Sequence, residues 1–366
     1  MIHHIVGSTL VQGMVITLQG IALASVAARQ LGAHEPRRRL ETIANMLLFA
    51  ALHPRAALRW LRYLEHPALK ALVLQQPHLL DKPRRLYLNS RWTPDERVQA
   101  LMTHYRWMAE HLRPDIAEAL YAGQPLKLCD IATRGDTHCA SLWLDHARLQ
   151  MREGELALQL RAAATDDMPA DGLAPVLATL SFSVVDGNGR PNFSIGCVQG
   201  PRQAGLPEFK ALTKAMNGLR PKALLVLAAQ ACATRWALDV RGIAPTAHPL
   251  TDMRYRRRNP LRHAAAANIH AAYGTLWRES GGTDADAEGW VQLPATPSVK
   301  SRDEVESAKR SLYERRGALL ARLDADLATA LRDIAPAHAA DARGIQAITQ
   351  HAANADWRAE HDAAAA

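Results

Sequence analysis

Arg220 and Lys222 flank a proline at the head of a long apolar run, Pro221 to Ala237, that contains Leu224, Leu225, Val226, Leu227 and Cys232. Cations in the first turn of a helix oppose its macrodipole, at a cost of about 0.3–1 kcal/mol each. The backbone N–H groups exposed there, joined by two side-chain cations, would suit an anion such as a phosphate. Gln199, Gly200 and Arg202 end the preceding strand-like run in a glycine-proline turn and could face the same place. Lys210 and Lys214 lie four apart on one helical face and would extend it. The competing reading sends Arg220 and Lys222 to solvent or to acidic neighbours.

Two further groups invite chemistry. His248, in Ala244-Pro245-Thr246-Ala247-His248-Pro249, follows the last core strand, where a loop histidine can act as an acid or base near neutral pH. A lone histidine there also serves as a structural residue. The basic run Arg254-Tyr255-Arg256-Arg257-Arg258 reads as a solvated loop face, or as a contact for phosphate or an anionic membrane surface. The sixteen histidines form no H-E-x-x-H, and His104/His111 and His138/His146 lack a closing ligand set, so no metal is expected. A serine elbow, a Walker A loop and a dinucleotide fingerprint are absent from the sequence.

These residues need elements to position them. Residues 40–64 carry apolar positions near a 3.6-residue period, interrupted at Pro54. Thr93-Pro94-Asp95-Glu96 reads as an N-cap, a first-turn proline and early acids, opening a helix to about Leu112. A second helix follows from Asp115 to Tyr121. The pattern then changes to alternation. Strands are expected at Leu126–Ile131, Ser141–Met151, Glu155–Arg161, Val176–Val185 and Asn192–Gln199, joined by an Arg-Glu-Gly turn and by Asp186-Gly187-Asn188-Gly189. Helices are expected at Pro207–Asn217, 221–237, 263–279 and 303–323, with a short strand at 238–243. The fold class is therefore α+β, with an N-terminal helical lobe at 36–125 and an α+β core at 126–325. Residues 326–366 read as an Ala/Asp-rich, partly disordered tail.

The chain is long enough for two lobes. Its formal net charge of +8 favours anionic partners, and residues 220–265 hold nine Lys/Arg against two Asp/Glu. Charge alone would admit nucleic acid, but no recognisable nucleic-acid-binding motif accompanies it. Cys129, Cys139, Cys197 and Cys232 show no paired spacing and fit reduced cytoplasmic thiols. Residues 5–28 carry no charge. Their glycines, glutamines and threonines favour a buried or interfacial helix over a membrane span; if the run did span, Arg29 and Arg37–Arg39 after it would place the body of the protein in the cytoplasm.

The segments Ser194-Ile195-Gly196-Cys197-Val198-Gln199-Gly200-Pro201, Leu212-Thr213-Lys214 and Gly218-Leu219-Arg220-Pro221-Lys222-Ala223-Leu224-Leu225 resemble the VirK/YbjX family of bacterial proteins. Weaker echoes are the His248 loop, Tyr273–Trp277, Gly281-Gly282, Gly289-Trp290 and Lys309-Arg310 with Arg315-Arg316, so the resemblance spans roughly residues 40–325. Beside Tyr273 this chain has Ala272 and Gly274 where the family tends to place acids. The resemblance implies an envelope-linked role in virulence, surface display and resistance to antimicrobial peptides, and it names no reaction or cofactor. Three readings follow. In the first, the protein acts at the cytoplasmic membrane face and binds an anionic lipid or lipid precursor. In the second, it is an acyl- or aminoacyltransferase using coenzyme A or a similar donor, since the order meander, glycine turn, helix, strand is similar to the Gcn5-related acyltransferase fold. In the third, it is a chaperone-like binder of an envelope protein.

Overall fold

Prolines open the helices of the first unit, because a first-turn residue needs no amide donor and the ring presets φ. The computed structural model describes residues 36–336, apart from 133–137, 149, 164–172, 188, 202–205, 257–268, 270–271 and 297–304. The uncharged run 5–28 and the residues after 336 thus lie outside the described residues. The described chain divides into two compact units, one holding residues 36–87, 92–122 and 336, the other 88–91 and 123–335.

The first unit contains α1 (Pro36–Leu52), α2 (Pro54–Leu64), α3 (Pro67–Gln75), α4 (Pro94–His111) and α5 (Pro114–Ala122). At the start of α4, Thr93 Oγ1 accepts the Glu96 N–H at 3.3 Å while Glu96 Oε2 accepts the Thr93 N–H at 2.6 Å, a reciprocal capping box. Trp60, Leu61, Tyr63 and Leu64 of α2 are buried with Leu101, Tyr105 and Met108 of α4. The polar tips of the two α2 aromatics are satisfied: Trp60 Nε1 donates to Leu79 O at 2.9 Å, and the Tyr63 hydroxyl to Met102 O at 3.2 Å. His104 is completely buried, and desolvation together with the charge of Lys82 lowers its pKa to about 3.

The second unit is built on a seven-stranded sheet in sequence order: β1 (Leu126–Ala132), β2 (His138–His146), β3 (Leu156–Ala162), β4 (Val176–Gly187), β5 (Arg190–Gln199), β6 (Asp239–Ile243) and β7 (Trp290–Leu293). β1 to β5 form an antiparallel meander. β6 lies parallel to β5, and β7 is antiparallel to β6. A parallel neighbour requires a crossover, supplied by α6 (Leu206–Ala215) and α7 (Pro221–Arg235). α7 buries Leu224, Leu225, Ala228, Ala229 and Cys232 and packs on β3 to β6, as its apolar composition requires. A single helical turn at Met253–Arg256, a helical run at residues 272–279 (α8) and the long α9 (Arg310–Ile334) follow β6.

Several expectations are corrected. The strand read as Ser141–Met151 runs from His138 and stops at His146, and residues 150–153 turn back. The helix read as 303–323 begins with a 3-10 turn at Ser307–Lys309 and continues to Ile334, so residues 326–334 belong to it and not to a tail. Leu323, Leu327, Leu331 and Ile334 are its buried stripe, which the composition of the segment concealed. β7 was not expected: four residues give too short an alternation to stand out. Residues 88–91 pack with the sheet unit although the helical lobe surrounds them in sequence.

Candidate functional site

The parallel pair β5–β6 is in register only from Asn192↔Asp239 to Ile195↔Gly242. Beyond that point β5 runs on to Gln199 without β6, and β6 ends at Ile243. α8 lies across this opening. The Tyr273 hydroxyl accepts the Val198 N–H of β5 at 2.9 Å, and Trp277 Nε1 donates to Ile243 O of β6 at 2.9 Å. Two aromatic side chains thus satisfy strand-end groups that a continuing ladder would otherwise pair.

At the same level β5 carries a bulge. Ser181 faces Cys197 and Phe182 faces Ile195, which leaves Gly196 as the extra residue. A Cβ on Gly196 would stand 2.0 Å from Glu153 O, and one on Gly154 would stand 2.6 Å from Phe182 N. Both glycines are needed for the turn after β2 to lie directly on the sheet. Leu88 N–H donates to Arg152 O at 2.7 Å and anchors the turn from the other side. The turn delivers the Glu153 carboxyl into the interior beside Cys197.

His248 arrives from the loop after β6. The loop is held by Ser90 N–H donating to Ala247 O (2.8 Å) and by Ala244 N–H donating to Gly289 O (2.9 Å). His248 Nδ1 accepts the Leu250 N–H at 3.1 Å, so the neutral imidazole carries its proton on Nε2. Nε2 faces Glu153 Oε1 at 3.6 Å, and the imidazole meets the Tyr273 ring edge-on with centroids 5.4 Å apart.

Glu153, Cys197, His248 and Tyr273 are therefore one buried cluster. Burial raises the Glu153 pKa to about 7, against the lowering effects of a hydrogen bond from Cys197 and the charge of Arg152. Burial also holds the Cys197 thiol and the Tyr273 hydroxyl well above their ordinary values, so both stay protonated at neutral pH. A carboxyl poised near 7, backed by an imidazole and two neutral donors, is suited to taking and returning a proton.

Tyr273 also lines an open cavity of about 620 Å³, whose wall includes Val198, Phe209, Arg220, Lys222, Leu276 and Glu279. Here the structure brings together part of what the sequence suggested. The Lys222 stem passes over Gly200, and burial lowers the pKa of its ammonium. Arg220 points to Glu279 at 2.9 Å, the acidic-neighbour alternative. Gln199 is exposed at the end of β5, and Lys214 is exposed on α6. Arg254 is tied to Asp252 at 2.9 Å and to Ser90 O at 2.8 Å. Arg202, Arg257, Arg258 and the Arg256 side chain lie outside the described residues. Among the described residues no cluster of three or more His, Cys, Asp or Glu side chains could hold a metal, and no helix is long and apolar enough to cross a membrane.

Sequence reading missed Glu153 and Tyr273 as site residues and took Cys197 for an ordinary buried thiol. Glu153 reads as a turn residue in Arg-Glu-Gly, and no local spacing ties it to positions 197, 248 and 273. The one available signal was the family motif around Gly196-Cys197 and the weaker echo at Tyr273.

Comparison with known proteins agrees with the resemblance. The chain is 28% identical over 299 residues to the uncharacterized protein YbjX of Escherichia coli (strain K12), covering 79% of this chain and 83% of that one. It is 23% identical over 242 residues to an uncharacterized protein of Haemophilus influenzae, covering 66% and 73%. No solved structure matches. With residues 35–329 matching the family described as "Protein of unknown function (DUF535)", the chain belongs to the VirK/YbjX family.

Proposed function

We propose that this protein is an acyltransferase that takes its acyl group from a thioester of coenzyme A or a similar carrier. The observation that carries this reading is the opening of β5 and β6 beyond Ile195↔Gly242, with a proton-handling cluster at the opening and a cavity beside it flanked by cations. An extended donor arm could lie along the open end of β5 and use its backbone groups as a strand would. The donor's phosphates would meet Lys222 and the first turn of α7, with Arg220 recruited from Glu279. Gly200 leaves room for that approach. The order of antiparallel meander, glycine turn, helix and further strand is also similar to the Gcn5-related acyltransferase fold, a fold-level analogy.

In the reaction, an acceptor amine or hydroxyl attacks the thioester carbonyl carbon, the C–S bond breaks and the thiol leaves. We place it at the cytoplasmic face of the envelope, the setting that the family resemblance implies, with a lipid precursor or an envelope protein as acceptor. The basic segment from Arg254 to Arg258 would favour an anionic surface there.

Thermal unfolding and native mass spectrometry with acetyl-coenzyme A and free coenzyme A test the reading. Both should bind and raise the melting temperature, and Lys222→Glu and Arg220→Glu should each weaken the effect at least tenfold in apparent Kd. If neither compound binds at millimolar concentration (~1 mM, where an affinity would be only about 4 kcal/mol), the reading is wrong.

A further inference from the structure

α1 is apolar on two sides. Met46 and Phe49 are buried on one of them. The exposed side chains described on the helix are Leu40, Glu41, Ala44, Leu48, Ala51 and Leu52. Glu41 stands at the N-terminal end, and the others recur at helical spacing as one stripe. Leu40, Leu48 and Leu52 are 67%, 51% and 64% exposed, half of the six large apolar side chains that stand exposed among the described residues. Single exposed leucines need no explanation, but a contiguous stripe marks a surface that something covers.

The chain supplies a matching stripe. The uncharged run 5–28 precedes α1, and within it Val11, Met14, Val15, Leu18, Ile21 and Ala22 recur at the spacing of one helical face. Gln12, Gly13, Thr17, Gln19 and Gly20 fall off that face, as do the apolar Ile16 and Leu23. In a helix, Val11 to Ala22 would span about 16 Å, against about 18 Å from Leu40 to Leu52. Residues 29–35 separate the two, a length usual for the connection of antiparallel helices, with Gly32 suited to end the first.

We infer that residues 11–22 form a helix that folds back antiparallel on α1 and covers its outer stripe. The pairing sets Ala22 opposite Leu40, Leu18 opposite Ala44, Met14 opposite Leu48 and Val11 opposite Ala51. A small residue faces a large one at three of these four levels, the alternation that lets facing layers interdigitate. Arg37, Arg38 and Arg39 stand in the first turn of α1, against its own dipole. An antiparallel partner ends at that level and brings the negative end of its dipole beside the turn. The short connection also holds the segment at an effective concentration on the order of millimolar, which favours it over a second copy of the chain or a bilayer. The inference is independent of the acyl-transfer reading.

Thiol crosslinking in the full-length protein tests the fold-back. Met14→Cys with Leu48→Cys should join within one chain, at a rate independent of protein concentration and about tenfold faster than two control pairs. Ile16→Cys with Leu48→Cys puts the first thiol on the far side of the same helix. Met14→Cys with Leu40→Cys displaces the pair by about 12 Å along it. Peptide mass mapping separates these products from any that involve Cys129, Cys139, Cys197 or Cys232. Hydrogen exchange gives a second reading without new cysteines. Amides of residues 11–22 should be protected in the wild type, and Leu48→Asp should lower that protection about tenfold while α4 keeps its own. Equal crosslinking in all three pairs overturns the inference. So do crosslinks that form only between chains, which assign the stripe to a second copy, and protection of residues 11–22 that arises only with phosphatidylglycerol vesicles, which assigns it to a bilayer.

Discussion

Replacing Glu153 by glutamine tests the electrostatics of the cluster without any substrate. In the folded protein the carboxyl has a pKa of about 7, against 4.5 when unburied. Between those values the native state holds a proton that the unfolded chain has released. Stability from the neutral buried carboxyl is therefore complete below about 4.5 and is lost as pH rises through about 7. Each pH step in that window is worth about 1.4 kcal/mol, so the loss is about 3 kcal/mol. Glutamine keeps the shape and stays neutral. The stability difference between Glu153→Gln and the wild type should thus move in favour of the variant by about 3 kcal/mol from pH 4.5 to pH 8 and then level off. Urea unfolding at a series of pH values, followed by a probe in the sheet unit, measures it. Other titrating groups act on both proteins and cancel in the difference. A pH-independent difference would refute the argument, since Glu153 would then ionise like an exposed carboxyl.

Two other expectations concern stability. Gly196→Ala places a methyl 2.0 Å from Glu153 O, backbone that can move only with the turn, so a loss of about 2–4 kcal/mol in urea unfolding is expected and a neutral result would disprove the bulge geometry. His104 in the helical unit has its pKa lowered to about 3 by burial and Lys82, so its contribution is present above about 6.5 and fades as pH falls. By pH 4 about 3 kcal/mol should be gone, seen as lower hydrogen-exchange protection factors in α4 once the intrinsic pH dependence of exchange is divided out, and His104→Leu should flatten that dependence.

Much of the scaffold was legible because its signals are local. The N-cap at Thr93 with its first-turn proline, the alternation of β1 to β5 and the apolar α7 each depend on residues a few positions apart, within reach of propensity and periodicity. The crossover from β5 through α6 and α7 to β6 could be read in order for the same reason. β7 and the second half of α9 were lost where the local pattern is short or alanine-rich.

The site divides along the same line. Sequence by itself marked the end of β5, the start of α7 and the His248 loop, because a glycine-proline turn, a helix-start proline and a strand end are local features. It also placed two cations beside the future cavity. Only the tertiary structure joined Glu153, Cys197, His248 and Tyr273, which come from a turn, a bulged strand, a loop and a helix. Their meeting depends on where β5 and β6 part and on two glycines that admit the Glu153 turn onto the sheet. The ionisation of Glu153 follows from the same packing: a carboxyl in a turn is ordinarily solvated, and only burial by residues distant in sequence raises its pKa toward neutrality.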